Sequence, residues 1–189
     1  MSETRIPLHT RTIRTDAVRV SDTELEVTGH LVDERAEPED WFGLSSGLVI
    51  HDMRVPLRVR HPDLVITAAS AAMDSRPYTL CTDALAPLQQ LVGLSVARGF
   101  TRAVNERFGR AQGCAHLTAL IHVIAPVVRQ AAGVAFHGTR TSPDASSDLW
   151  FVNTCQAWRE NGPLHRLIQA GDEAGLRGLS AYPRDPEAS

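Results

Sequence analysis

The sequence contains no lysine: all 19 of its cationic residues are arginine. That removes Schiff-base catalysis and a Walker-type phosphate loop, both of which need a lysine amine. The 19 cations stand against 22 Asp+Glu, with no basic block among them. Nucleic acid and an anionic membrane surface are therefore excluded as main partners. Cysteine is scarce too. Cys81, Cys114 and Cys155 are an odd number at wide spacing, which does not make a disulfide framework, so reduced thiols and a cytoplasmic location are expected. The opening Met1-Ser2-Glu3-Thr4-Arg5 leads into a polar stretch without an apolar signal core, and no uninterrupted apolar run of about 18 residues follows. The chain has no internal repeat, no low-complexity block, and no GxGxxG or HExxH motif.

What remains is 189 residues with enough apolar content to bury a core without staples. We expect one domain over 1–189, with a core at about 10–135, a C-terminal extension over 136–180 and a frayed tail over 181–189. Thr10 to Val20 and Glu24 to Asp33 alternate around the turn residues Ser21-Asp22-Thr23 and predict a β-hairpin. Arg35 to Ser46 is read as a loop pinned by Trp41 and Phe42. Gly47 to Val59 and Asp63 to Ala72 predict two more strands, joined at His61-Pro62, with Pro56 marking an edge or a bulge. From Cys81 the period changes to about 3.6, predicting helices over Cys81–Val92, Gly99–Phe108 and Cys114–Ala132, the last kinked at Pro126. Thr139 to Asp148 reads as a loop, Leu149 to Trp158 as a strand, and Pro163 to Ala170 as a short helix. Segregated strands and helices make the fold α+β: an antiparallel sheet of three to four strands with helices on one face and a C-terminal strand/helix extension.

The residues that carry chemistry cluster around Gly113-Cys114-Ala115-His116-Leu117, a thiol and an imidazole where a loop becomes a helix. Unpaired backbone N–H groups at a helix start favour thiolate. Cys81 also stands where a loop turns helical. In the third strand the period of two aims His51 inward with Met53, and Asp52 outward. His51, Cys81, Cys114 and His116 thus form a candidate metal set, suited by donor type to zinc or iron. Asp52 is a candidate replacement for His51, an orienting partner for it, or a proton-moving group; His30 and Asp33 are further candidates, and Cys155 is read as a packed strand thiol. Arg102 and Arg107 are read as a solvated helix face.

Gly29-His30-Leu31-Val32-Asp33, His51-Asp52-Met53, Cys81, Gly93, Gly99-Phe100-Thr101-Arg102 and Gly113-Cys114-Ala115-His116-Leu117 together resemble a bacterial domain family of unknown function. Its members show a His-Asp-Met strand, a Gly-Cys-Thr-His-Leu helix start and a later cysteine like Cys155. The likeness runs from about Arg11 to Trp158. More distantly, the order of elements resembles the iron–sulfur cluster assembly scaffold fold. There Cys81 would match the middle cysteine and Cys114 the last, while the first cysteine is absent and His51-Asp52 stands in its region. That resemblance implies a pocket for zinc or a cluster.

The expected function is a zinc- or iron-binding protein, a metal-dependent hydrolase or lyase acting on a small organic molecule. Asp52 and His30 are the expected catalytic groups, and His51, Cys81, Cys114 and His116 the expected ligands. The alternatives are a non-catalytic iron–sulfur or sulfur carrier and a structural-zinc binding module. The sequence allows a homo-oligomer without requiring one.

Overall fold

The structure is a computed structural model that describes residues 4–37, 39–41, 44–136 and 151–182. The chain divides into two compact units, residues 1–138 and 139–189. In the first, strands β1 (His9–Arg19), β2 (Glu24–Arg35), β5 (Val49–Arg60), β6 (Val65–Ala69) and β7 (Ala72–Ser75) form one antiparallel sheet. Its order is β1-β2-β5-β6, with β7 also paired to β5. Strands β3 (Glu39–Trp41) and β4 (Leu44–Ser46) pair separately, inside the segment read as a loop; the pinning role of Trp41 and Phe42 lies outside the described side chains. The fold is α+β and antiparallel, as the segregation of strands and helices in the sequence requires.

Alternation does the sorting. Leu25, Val27 and Leu31 of β2, and Met53, Val55, Leu57 and Val59 of β5, all point to one face and are buried. Helix α1 (Phe100–Phe108) contributes Phe100, Val104 and Phe108 to the core beneath that face. Helix α2 (Ala115–Ala135) contributes Leu117, Leu120, Ile121, Ile124 and Val128, at the i, i+3, i+4 spacing of an apolar stripe. α2 is long and apolar enough by composition to cross a membrane, and here that apolar stripe is the one packed on β1 and β2. Gly29 permits the close approach: a Cβ there would lie 2.8 Å from Ile124 Cγ1 and from Leu120 Cδ1. The helix ends against Arg19, which donates to the Ala135 carbonyl at 3.1 Å and lies over the Phe136 ring.

The expected fourth strand is divided. β6 and β7 both pair with β5 but are separated at Ser70-Ala71, where the Ser70 N–H donates to the Pro56 carbonyl at 3.2 Å. Carbonyl and nitrogen of one residue point to the same side of an antiparallel ladder. Pro56 therefore directs its missing N–H at the break between β6 and β7, where no partner is needed. The outer edge of β6 is covered by residues 93–96, through Gly93 N to Ile66 O at 2.9 Å and Val96 N to Leu64 O at 2.8 Å.

Three expectations need correction. Cys81–Val92 is two 3₁₀ segments, Thr79–Ala84 and Ala86–Leu91, because Pro87 has no N–H with which to continue an α-helix. Cys81 therefore lies inside a turn, whereas Cys114 is the N-cap of α2 as expected. α2 continues through Pro126, which is exposed. In the second unit, residues 151–158 form turns: Asn153 is left-handed at φ 62°, its N–H donates to Trp158 O at 2.8 Å, and its Oδ1 accepts from Glu160 N at 2.8 Å. Cys155 is consequently exposed, not a packed strand thiol. Helix α3 (Pro163–Gln169) falls where the short helix was expected, and α4 (Glu173–Gly178) follows it, capped by Asp172. The expected loop at 139–148 and the last residues of the expected tail lie outside the described residues.

Candidate metal centre

Strand register builds one row across the inner face of the sheet. Arg11 pairs with Asp33 and Asp33 with His51, so three consecutive strands present a guanidinium, a carboxylate and an imidazole side by side. β5 carries an extra residue, Ile50, where the register shifts beside His51. His116 arrives from the first turn of α2. Among the described residues, the ligand atoms of Asp33, His51 and His116 are the group of three or more that converges, all within 4.8 Å of one another.

Asp33 has no exposed surface, and its oxygens are crowded with donors. Arg11 holds both of them, Nε to Oδ1 at 2.7 Å and Nη2 to Oδ2 at 2.8 Å. His9 Nε2 lies 3.2 Å from Oδ1, and His51 Nδ1 lies 2.9 Å from Oδ2. A carboxylate offers about four lone-pair positions; Arg11 and His9 occupy three, so a metal on Asp33 would take the place of the His51 contact at Oδ2. His116 Nε2 is left at a longer 3.5 Å from Oδ2, while its ring sits 3.8 Å, centre to centre, from that of His51. On its other side His116 Nδ1 is 3.7 Å from Cys114 Sγ.

The charge state follows from these contacts. Burial works to raise the Asp33 carboxyl, but the Arg11, His9 and His51 donors outweigh it and hold the group down at about 2. His51 is pushed below its ordinary range, first by burial and then by Arg11 and His9, against an opposing pull from Asp33. His116 is pushed down by burial, with His51 and Arg11 adding to the effect. At neutral pH the cluster is an ionised carboxylate facing two neutral imidazoles, the states in which these groups bind metal.

The four expected ligands are distributed unevenly. His51 and His116 come together, and Cys114 stands behind His116, against the ring nitrogen opposite the one that faces Asp33. Cys81 and Cys114 line a common hollow rather than joining the converging atoms. His30 and Asp52, the expected catalytic groups, are hydrogen-bonded to each other at 2.7 Å on the opposite face of the sheet, beside Arg54, which pairs with Asp74. The sequence reading missed His9 and Arg11. The signal for Arg11 was present: counting back from the Ser21-Asp22-Thr23 turn puts it opposite Asp33.

An open antiparallel sheet with a helix laid across one face, and a carboxylate, guanidinium and imidazole cluster at that helix's start, defines the class. The chain belongs to the family described as a protein of unknown function, DUF2889, whose model matches residues 9–130. The match takes in the whole cluster and stops before Cys155, which the expected likeness had included. No curated protein and no solved structure matches the chain significantly, so the likeness to the iron–sulfur assembly scaffold fold is not among the findings.

Proposed function

We propose that the protein is a metal-dependent enzyme of hydrolase or lyase type, acting on a small organic molecule, with a zinc or iron ion held by Asp33, His51 and His116. The observation that carries this reading is the convergence of those three ligand atoms within 4.8 Å around a fully buried carboxylate. Two imidazoles and one carboxylate are a donor set used by both zinc and non-haem iron, and they leave coordination positions free. A bound ion would supply Lewis-acid polarisation of a carbonyl or a water.

The chain's own groups supply the rest. Arg11 and His9 orient Asp33 and keep it ionised, as partners behind a ligating carboxylate do. Cys114 fixes the His116 ring from behind, so in this reading its thiol orients a ligand instead of being one. His9, with 45% of its side chain exposed, links the buried carboxylate to the surface through its Nε2 contact with Asp33 Oδ1. Calorimetric titration with zinc tests the reading. The intact protein should bind one equivalent, and His116→Ala or His51→Ala should weaken binding by about 10–100-fold or more. Binding that is absent, or indifferent to both substitutions, ends the reading.

A further inference from the structure

A hollow of about 450 Å³ opens between the 3₁₀ segment Thr79–Ala84 and the turn that leads into α2. Its size is in the range of about 300–1,000 Å³ that holds small organic ligands. Two side chains at its edge, Tyr78 and Leu80, are 54% and 76% exposed, an outlay of apolar surface that the core does not explain. Ala84, Pro87 and Ala111 continue the apolar lining. The polar side-chain groups are few: the Tyr78 hydroxyl, Gln112, the thiols of Cys81 and Cys114, and a single carboxylate, Asp83, in a lining without any arginine or histidine. In a protein with 19 arginines, a wall without a cation selects against phosphates and carboxylates as occupants.

We propose that this hollow is a binding site for a small apolar molecule carrying no negative charge, seated against Cys81 and Cys114. The site stands independently of any metal. Cys114 also contacts His116, so an occupant would rest beside the Asp33 cluster.

Methanethiosulfonate reagents test this in the intact chain, because each transfers its thio group to a cysteine sulfur. A new S–S bond forms, methanesulfinate leaves, and the thiol proton goes to solvent. The benzyl reagent probes an apolar occupant and the sulfonatoethyl reagent an anionic one, with exposed Cys155 as the internal standard. Peptide mass spectrometry reads each cysteine separately. Benzyl labelling at Cys81 or Cys114 should saturate with concentration, the mark of a complex that forms first. Relative to Cys155, it should outpace sulfonatoethyl labelling by about tenfold or more, as burial of a phenyl ring implies. Ala111→Trp, at an exposed wall position, should fill the hollow and abolish saturation, leaving Cys155 unchanged. Leu80→Asp should slow benzyl labelling in the same way without occupying the space. Labelling that is linear in concentration at all three cysteines, or sulfonatoethyl labelling as fast as benzyl, overturns the proposal; so does saturation that survives both substitutions.

Discussion

Replacing Asp33 by Asn removes the charge around which Arg11, His9, His51 and His116 are arranged, while changing side-chain volume little. The fold holds this carboxyl at about 2 against an ordinary 3.8. At about 1.4 kcal/mol per unit, the ionised form is favoured by about 2.5 kcal/mol, which screening around Arg11, itself 38% exposed, reduces to about 1–2 kcal/mol. A group whose folded pKa is depressed contributes stability that is fully present above the unfolded value and lost as pH falls through the folded one. Wild type should therefore exceed Asp33→Asn by about 1–2 kcal/mol at pH 7, and more if the new amide is left facing donors it cannot pair with. The gap should close between pH 4 and pH 2, because protonation then removes the same charge from wild type. Urea unfolding of both proteins across that range measures it, with the effects of the other carboxylates cancelling in the difference. Equal stability at pH 7, or a gap that persists unchanged at pH 2, refutes the reasoning.

Other expectations are as direct. His51 and His116 should titrate below 6.5 by NMR, because burial disfavours their charged forms; the stability tied to them is present above 6.5 and falls as pH drops below it. A midpoint above 6.5 for either would contradict the burial argument. Gly29→Ala should cost about 1–3 kcal/mol in thermal or urea unfolding, since its Cβ would stand 2.8 Å from Ile124 and Leu120, and Ile124→Val should recover part of the loss. Cys155→Ser should change stability by less than about 0.5 kcal/mol, and Cys155 should be the first thiol alkylated by iodoacetamide.

The sheet was legible because its code is local. β2 and β5 alternate, so the inward aim of His51 and the outward aim of Asp52 could be read from period two alone. The start of α2 at Cys114 was legible for the same reason, as a loop giving way to a helical period. The site was half legible. His51 and His116 were identified by residue type, but Asp33 owes its importance to burial and to four donors brought from other strands, and neither is visible in a linear sequence. Cys81 misled because a thiol at a change of period suggests a helix start, whereas Pro87 breaks that segment into 3₁₀ turns and leaves the sulfur lining a hollow. Cys155 misled because Phe151 and Trp158 read as strand residues, while left-handed Asn153 turns the chain between them.

X-ray absorption at the zinc edge of the reconstituted protein tests the central claim most directly, because it reads ligand type and distance at the ion itself. A first shell of nitrogen and oxygen at about 2.0–2.2 Å is expected, with imidazole scattering from two histidines and no sulfur required. A shell dominated by sulfur at about 2.3 Å would transfer the site to Cys81 and Cys114 and contradict the claim that Asp33, His51 and His116 hold the metal.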